Sequence, residues 1–286
     1  MVKILDYKCP EPKDKVIDTE AFAAAGVVFP DVHKNRQMMV NYAKLQKPEN
    51  DNVYVDLPFC HTVEADALGG IVNYGDAVTG PRAKSFIYKN LSEVGEMEPI
   101  DFSKGRIHEV LEAAKTLKSQ GEFVISEMAG PFTIMNILVD PSLVFKGMRK
   151  DLEGMKRIFE RFHFILLEYV KECISAGVDA ISYADPTGGV NILGPKFTKM
   201  YMELFTYDFL KSCAALDGDM LFVLCPKTAL SLIGTEKAKF VDIELPREMS
   251  YAETFVELKG KAKFLGHLCI GMNSRKLKST KIIEWI

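Results

Sequence analysis

Short, continuously apolar runs rich in β-branched residues alternate along this chain with longer stretches of helical spacing. No other feature limits the fold as tightly. The strand-like runs cover 26–29, 53–59, 123–127, 180–184, 221–225, 241–245 and 264–269. A strand that is apolar throughout is covered on both faces, which is the situation of a parallel sheet flanked by helices. The intervening segments supply those helices. Ile107, Val110, Leu111, Ala114 and Leu117 recur at helical spacing, as do Met155, Phe159, Phe162, Leu166, Tyr169 and Cys173. Gly121, Gly177 and Gly218 each stand just before a strand, where a helix would stop.

Seven strands, each with its helix, predict an α/β fold of the (β/α)8 TIM-like barrel type. A doubly wound dinucleotide-binding sheet has no support, because no Gly-x-Gly-x-x-Gly follows any strand. After Cys269 only 272–286 remain, and they read as one helix. The last βα unit is therefore expected to be missing or modified, or else an N-terminal segment closes the barrel. Residues 1–20 are charged and carry Pro10 and Pro12, so they read as an extended arm, with 21–286 as a single barrel domain.

The charge balance narrows the function classes. With 36 basic and 39 acidic residues, the net charge is -3 and no nucleic-acid surface is expected. The densest cationic stretch, Arg275 to Lys281, reads as a solvated helix face. No run approaches the ~18 apolar residues that span a bilayer, and the polar segment from Met1 to Glu20 has no apolar core of a secretory leader. Six cysteines without paired spacing fit reduced thiols, so a soluble cytoplasmic protein is expected.

In such barrels the chemistry sits where strands end. The strand ends carry Cys60, His61 and Glu64, then Glu127, Asp185, Cys225, and His267 with Cys269. Cys225, His267 and Cys269 are the candidate metal group, since two thiolates and an imidazole suit zinc with a fourth position open. The alternative is that both cysteines are small buried hydrophobes and His267 a hydrogen-bonded core group. Glu127 interrupts an apolar strand, so it must be paired, metal-bound or turned to the mouth. Asp185 precedes a Pro-Thr-Gly-Gly loop, where it would touch substrate or cap the next helix. Glu127 and Asp185 are the catalytic candidates. Phe59, Glu64, Tyr183 and Asn191, at the same ends, are the substrate-binding candidates, although Glu64 also suits the first turn of a helix.

The strand ends carry a resemblance. Leu57-Pro58-Phe59 with Thr62-x-Glu64-Ala65-x-Ala67-Leu68-Gly69, then Gly105-Arg106, Gly130-Pro131-Phe132-Thr133 and Asp179-Ala180-Ile181-Ser182-x-Ala184-Asp185-Pro186 resemble the uroporphyrinogen decarboxylase superfamily. Within it the chain is most similar to the corrinoid-dependent methyltransferase branch, in order and spacing from Val27 to about Ile283. That resemblance implies a barrel enzyme moving a methyl group between a small-molecule donor or acceptor and cobalamin carried on a separate corrinoid-binding protein. It also implies zinc held by a His-x-Cys and a later Cys, activating an acceptor thiol such as coenzyme M. The family His-x-Cys falls on Val223-Leu224-Cys225, so the histidine is absent here: either His267-x-Cys269 replaces it or the site has lost zinc altogether.

Two other functions compete. A metal-free decarboxylase or lyase would match the superfamily, but the first run, Val27-Val28-Phe29-Pro30, lacks its arginines and the second ends in Pro58-Phe59-Cys60 without its aspartate. A catalytically silent barrel that only binds the corrinoid protein is the third. A barrel missing an element would expose edges that a homodimer could cover.

Overall fold

The computed structural model describes residues 4–9, 19–49 and 53–286. Its strands are β1 Val55–Leu57, β2 Ile71–Asn73, β3 Arg82–Ser85, β4 Val124–Ala129, β5 Ala180–Ala184, β6 Leu221–Leu224, β7 Ala238–Ser250, β8 Phe264–Leu265 and β9 Lys276–Trp285. Strands β2 and β3 form a separate antiparallel hairpin. The other seven make one sheet in the order β1-β4-β5-β6-β8-β9-β7. The five strands from β1 to β8 run parallel, and β9 runs antiparallel to β8 on one side and β7 on the other. This mixed, mostly parallel sheet is the TIM-like α/β architecture that the alternating pattern predicts.

Side-chain alternation divides the sheet into two dry faces. On one, Val124, Met128, Ile181, Tyr183, Phe222 and Leu224 join a large cluster with the helices Gly105–Ser119 and Leu152–Ser175. On the other, Ile125, Ala180, Leu221, Val223 and Leu265 meet Tyr251, Ala252, Phe255 and Leu258 of the helix Tyr251–Leu258. That helix starts cleanly because Ser250 and Glu253 form a capping box. Phe255 packs its ring 4.7 Å from Tyr251 and 5.7 Å from Tyr54.

Asp179, just before β5, ties the layers together. Its carboxylate takes Lys118 Nζ at 2.6 Å, Lys259 Nζ at 2.8 Å and the Val124 amide at 2.9 Å. Lys118 belongs to the helix on one face, and Lys259 caps the helix on the other.

The structure corrects the expected elements near both ends. Residues 26–29 form a turn rather than a strand: Gly26 takes φ +68°, and Pro30, which lacks an N–H, leads into the short 3-10 helix Asp31–His33. The run at 241–245 lies inside β7 and is antiparallel, not a barrel strand with its own crossover. Residues 272–286 are not a helix. Thr280, Ile282 and Ile283 are β-branched, which favours a strand, and 276–285 pairs along β7 with Val241 opposite Ile282. The last βα unit is thus modified into a long two-stranded ribbon. Strands β1 and β7 stand at opposite ends of the ladder. No helix among the described residues is long and apolar enough to cross a membrane.

Candidate functional site

The ends of β1, β4 and β5 bring carboxylates close together. β4 ends at Ala129, and Gly130 leads into the helix Pro131–Leu138, which begins with its first N–H groups open. Asp185 fills them. Its oxygens accept the amides of Phe132 at 3.1 Å and Thr133 at 2.8 Å, the Thr133 hydroxyl at 2.7 Å and the Tyr201 hydroxyl at 2.6 Å. A Cβ on Gly130 would stand 2.5 Å from the Asp185 Cβ, so glycine is what permits this approach. Burial raises the Asp185 pKa, and the Tyr201 and Thr133 hydrogen bonds oppose the rise. Asp185 therefore anchors a helix start with all of these donors drawn from the protein.

Glu64 sits on the helix Val63–Ala67 and is buried, with Oε1 accepting the Ala129 amide at 2.8 Å. Burial raises its pKa too, against that hydrogen bond and the fields of His61 and Arg106. Burial holds the His61 imidazole below its ordinary value while Glu64 and Asp185 pull it up, so the ring lies beside both acids. Arg106 braces the same loop. Its Nε donates to the His33 carbonyl at 2.6 Å, Nη1 to Thr62 Oγ1 at 2.8 Å and Nη2 to Cys60 Sγ at 2.9 Å.

The remaining candidates disperse. Phe59 packs against Tyr42 at 4.6 Å in the N-terminal aromatic cluster. Tyr183 is buried in the helix-covered layer with its ring 5.6 Å from Phe209. Asn191 is exposed and accepts from Lys227 Nζ at 3.1 Å.

The two thiols share an electrostatic environment, and the imidazole lies in a different one. Cys225 caps the helix Pro226–Ile233, its sulfur facing the amides of Lys227 and Thr228. Burial pushes both the Cys225 and Cys269 thiols up, and a charge on Cys269 would raise Cys225 further, so the two share one field. Glu127 and Cys9 act on Cys269 as well. Tyr7 of the N-terminal arm donates to Met272 Sδ at 3.5 Å and lies in the field of Cys9, Cys225 and Cys269. Tyr7 and Cys9 therefore lie in the surroundings of Cys269. His267 faces elsewhere: its ring is 5.7 Å from Tyr251, it feels Lys281, Arg275 and Asp242, and burial lowers its pKa to about 4. The reason is local. β8 ends at Leu265, so positions 267 and 269 lie beyond the strand whose alternation would align them. Among the described residues no group of three or more His, Cys, Asp or Glu side chains is placed to hold a metal ion. The donors present do not fit the zinc site that the sequence suggests.

Asp56 and the arm residues Tyr7 and Cys9 are absent from the sequence-derived set. Asp56 stands between buried Val55 and Leu57 on β1, and its charge and that of Glu127 both raise the pKa of buried Tyr54, so the acids lie near one ring. The signal was available, since Asp56 interrupts an apolar run as Glu127 does. Nothing in a polar arm marks Tyr7.

The uroporphyrinogen decarboxylase (URO-D) family model matches residues 16–246. A methylcobamide:CoM methyltransferase MtaA of Methanosarcina barkeri (strain Fusaro / DSM 804) is 24% identical over 255 residues, covering 87% of this chain and 74% of that protein. A methylcobamide:CoM methyltransferase MtbA of Methanosarcina acetivorans is 23% identical over 216 residues, 74% of this chain and 63% of the relative. A uroporphyrinogen decarboxylase of Thermoplasma acidophilum is 26% identical over 260 residues, 82% of this chain and 72% of that protein. A solved methyltransferase from Methanosarcina mazei superposes with a TM-score of 0.64 at 23% identity, over 75% of this chain and 64% of that one. The chain thus spans roughly two thirds to three quarters of the length of these relatives.

Proposed function

The chain belongs to the uroporphyrinogen decarboxylase family, and from that membership we propose that it transfers a methyl group between a small molecule and a corrinoid carried on a separate protein. The observation that carries this reading is the similarity to methylcobamide:CoM methyltransferases over 87% of the chain. The site agrees with it in kind. Cys269 lies in the field of the Glu127 carboxylate, and Cys225 directly follows the parallel strand β6.

Methyl transfer to a thiol needs little from the protein beyond alignment and removal of one proton. As the acceptor sulfur attacks the methyl carbon, its proton must leave and the methyl–cobalt bonding pair stays with the corrinoid. Glu127 is the base we assign to that proton. Asp185 serves by fixing the helix Pro131–Leu138, which borders the same ends. Because His267 turns away from the thiols, no step is assigned to zinc.

The test is transfer from methylcobalamin to 2-mercaptoethanesulfonate by the purified chain, followed by the cobalamin spectrum. Glu127→Gln is expected to lower kcat about 10²-fold with KM little changed, in the range of one general base. Failure of the unaltered chain to demethylate methylcobalamin with any thiol, together with release of carbon dioxide from uroporphyrinogen, would replace this reading by the decarboxylase one.

A further inference from the structure

A cavity of about 140 Å³ opens beside β4 and β5, between the helices Pro131–Leu138 and Pro141–Lys150 and the turn Pro186–Gly188. Phe132, Val144, Phe145 and Ile192 form its apolar walls, Asn136 and Thr187 supply its polar atoms, and none of its lining residues is ionisable. An apolar cavity of about 150 Å³ takes up one benzene molecule. The size and lining therefore suit a single uncharged six-membered ring with one polar substituent.

The hydrogen-bond chain behind the cavity fixes what that substituent must be. An ionised carboxylate only accepts. The Thr133 hydroxyl thus donates its hydrogen bond to Asp185 Oδ1 across 2.7 Å, alongside the Phe132 and Thr133 amides and the Tyr201 hydroxyl. The Thr133 oxygen, its own proton spent, can only accept from its neighbour Thr187, whose Oγ1 lies 3.1 Å away. Thr187 in turn has no proton left and presents lone pairs to the cavity. A ligand meeting it must donate.

We infer that this cavity binds a neutral monocyclic phenol, ring against Phe132 and Phe145, with the phenolic O–H donated to Thr187 Oγ1. This inference does not depend on the methyl-transfer reading, and it can fail or stand while that reading does the opposite.

Calorimetric or ligand-observed NMR titration of the full chain with phenol, anisole and benzoate tests it. Phenol is expected to bind roughly three- to tenfold more tightly than anisole, the weight of one net hydrogen bond. Benzoate, whose charge would be buried without a partner, is expected not to bind. Thr187→Val should bring phenol down to the anisole level while anisole binding persists, which also shows the variant is folded. Ile192→Trp, at an exposed position, should block both. Equal affinity of the unaltered chain for phenol and anisole, preference for benzoate, or phenol binding that survives Ile192→Trp would overturn the assignment.

Discussion

His33 and His267 are held neutral by their surroundings. Burial takes both from an ordinary value of 6.5 to about 4. The His33 ring nitrogens have no hydrogen-bond partner, and the ring sits 5.7 Å from Phe29 and 6.4 Å from Phe59. In the unfolded chain both imidazoles protonate near pH 6.5, whereas in the folded chain they resist until about pH 4. The unfolded state then binds more protons across that window, so stability falls as pH falls from about 6.5 to 4, by at most about 1.4 kcal/mol per pH unit for each ring. His267 is only partly buried, which makes its share the smaller one. Urea titrations at several pH values check this, and His33→Gln should flatten the slope. The same residues show what was legible in the sequence. Asp185 is picked out as a buried acid at a strand end, yet its side chain does not cap the turn that follows it; its four donors come from the start of the earlier helix Pro131–Leu138 and from Tyr201. His267 and Cys269 do not share a strand face, because β8 holds only Phe264 and Leu265 and stops before them.

The elements divide by how local their causes are. The helices Gly105–Ser119 and Leu152–Ser175 and the strands β4, β5 and β6 are readable because their periodicity, glycine stops and continuous apolar runs act within a few residues. β9 is not, because ten residues of mixed lysines and β-branched side chains become a strand only when β7 lies alongside them. The helix Tyr251–Leu258 is intermediate: its capping box is written in Ser250 and Glu253, but which sheet face it covers is a tertiary matter. That packing gives a prediction at this scale. Phe255 is fully buried between Tyr54 and Tyr251, so Phe255→Ala should destabilise the fold by about 3–5 kcal/mol. Thermal or urea unfolding measures it, and a loss below about 1 kcal/mol would mean that the helix is not a core element.

For the molecule as a whole, Asp179 is the point where the two layers meet. It is 1% exposed and accepts from Lys118 on one side of the sheet and Lys259 on the other. Asp179→Ala leaves both ammonium groups to solvent and the Val124 amide without its acceptor, at a cost of about 1–3 kcal/mol. Hydrogen exchange should show the helices Gly105–Ser119 and Tyr251–Leu258 losing protection together. Loss confined to one of them would show that the layers are not coupled through this carboxylate. The family resemblance was visible along nearly the entire chain because it rests on strand-end motifs.

Tyr251, Phe255 and Leu258 pack hydrocarbon against the second face of the sheet, so a molecule entering there would have to displace them. Under the methyl transfer proposed above, a planar macrocycle delivered by another protein would therefore meet this chain from outside that packed layer, and its reach would be set by the side chains at the strand ends.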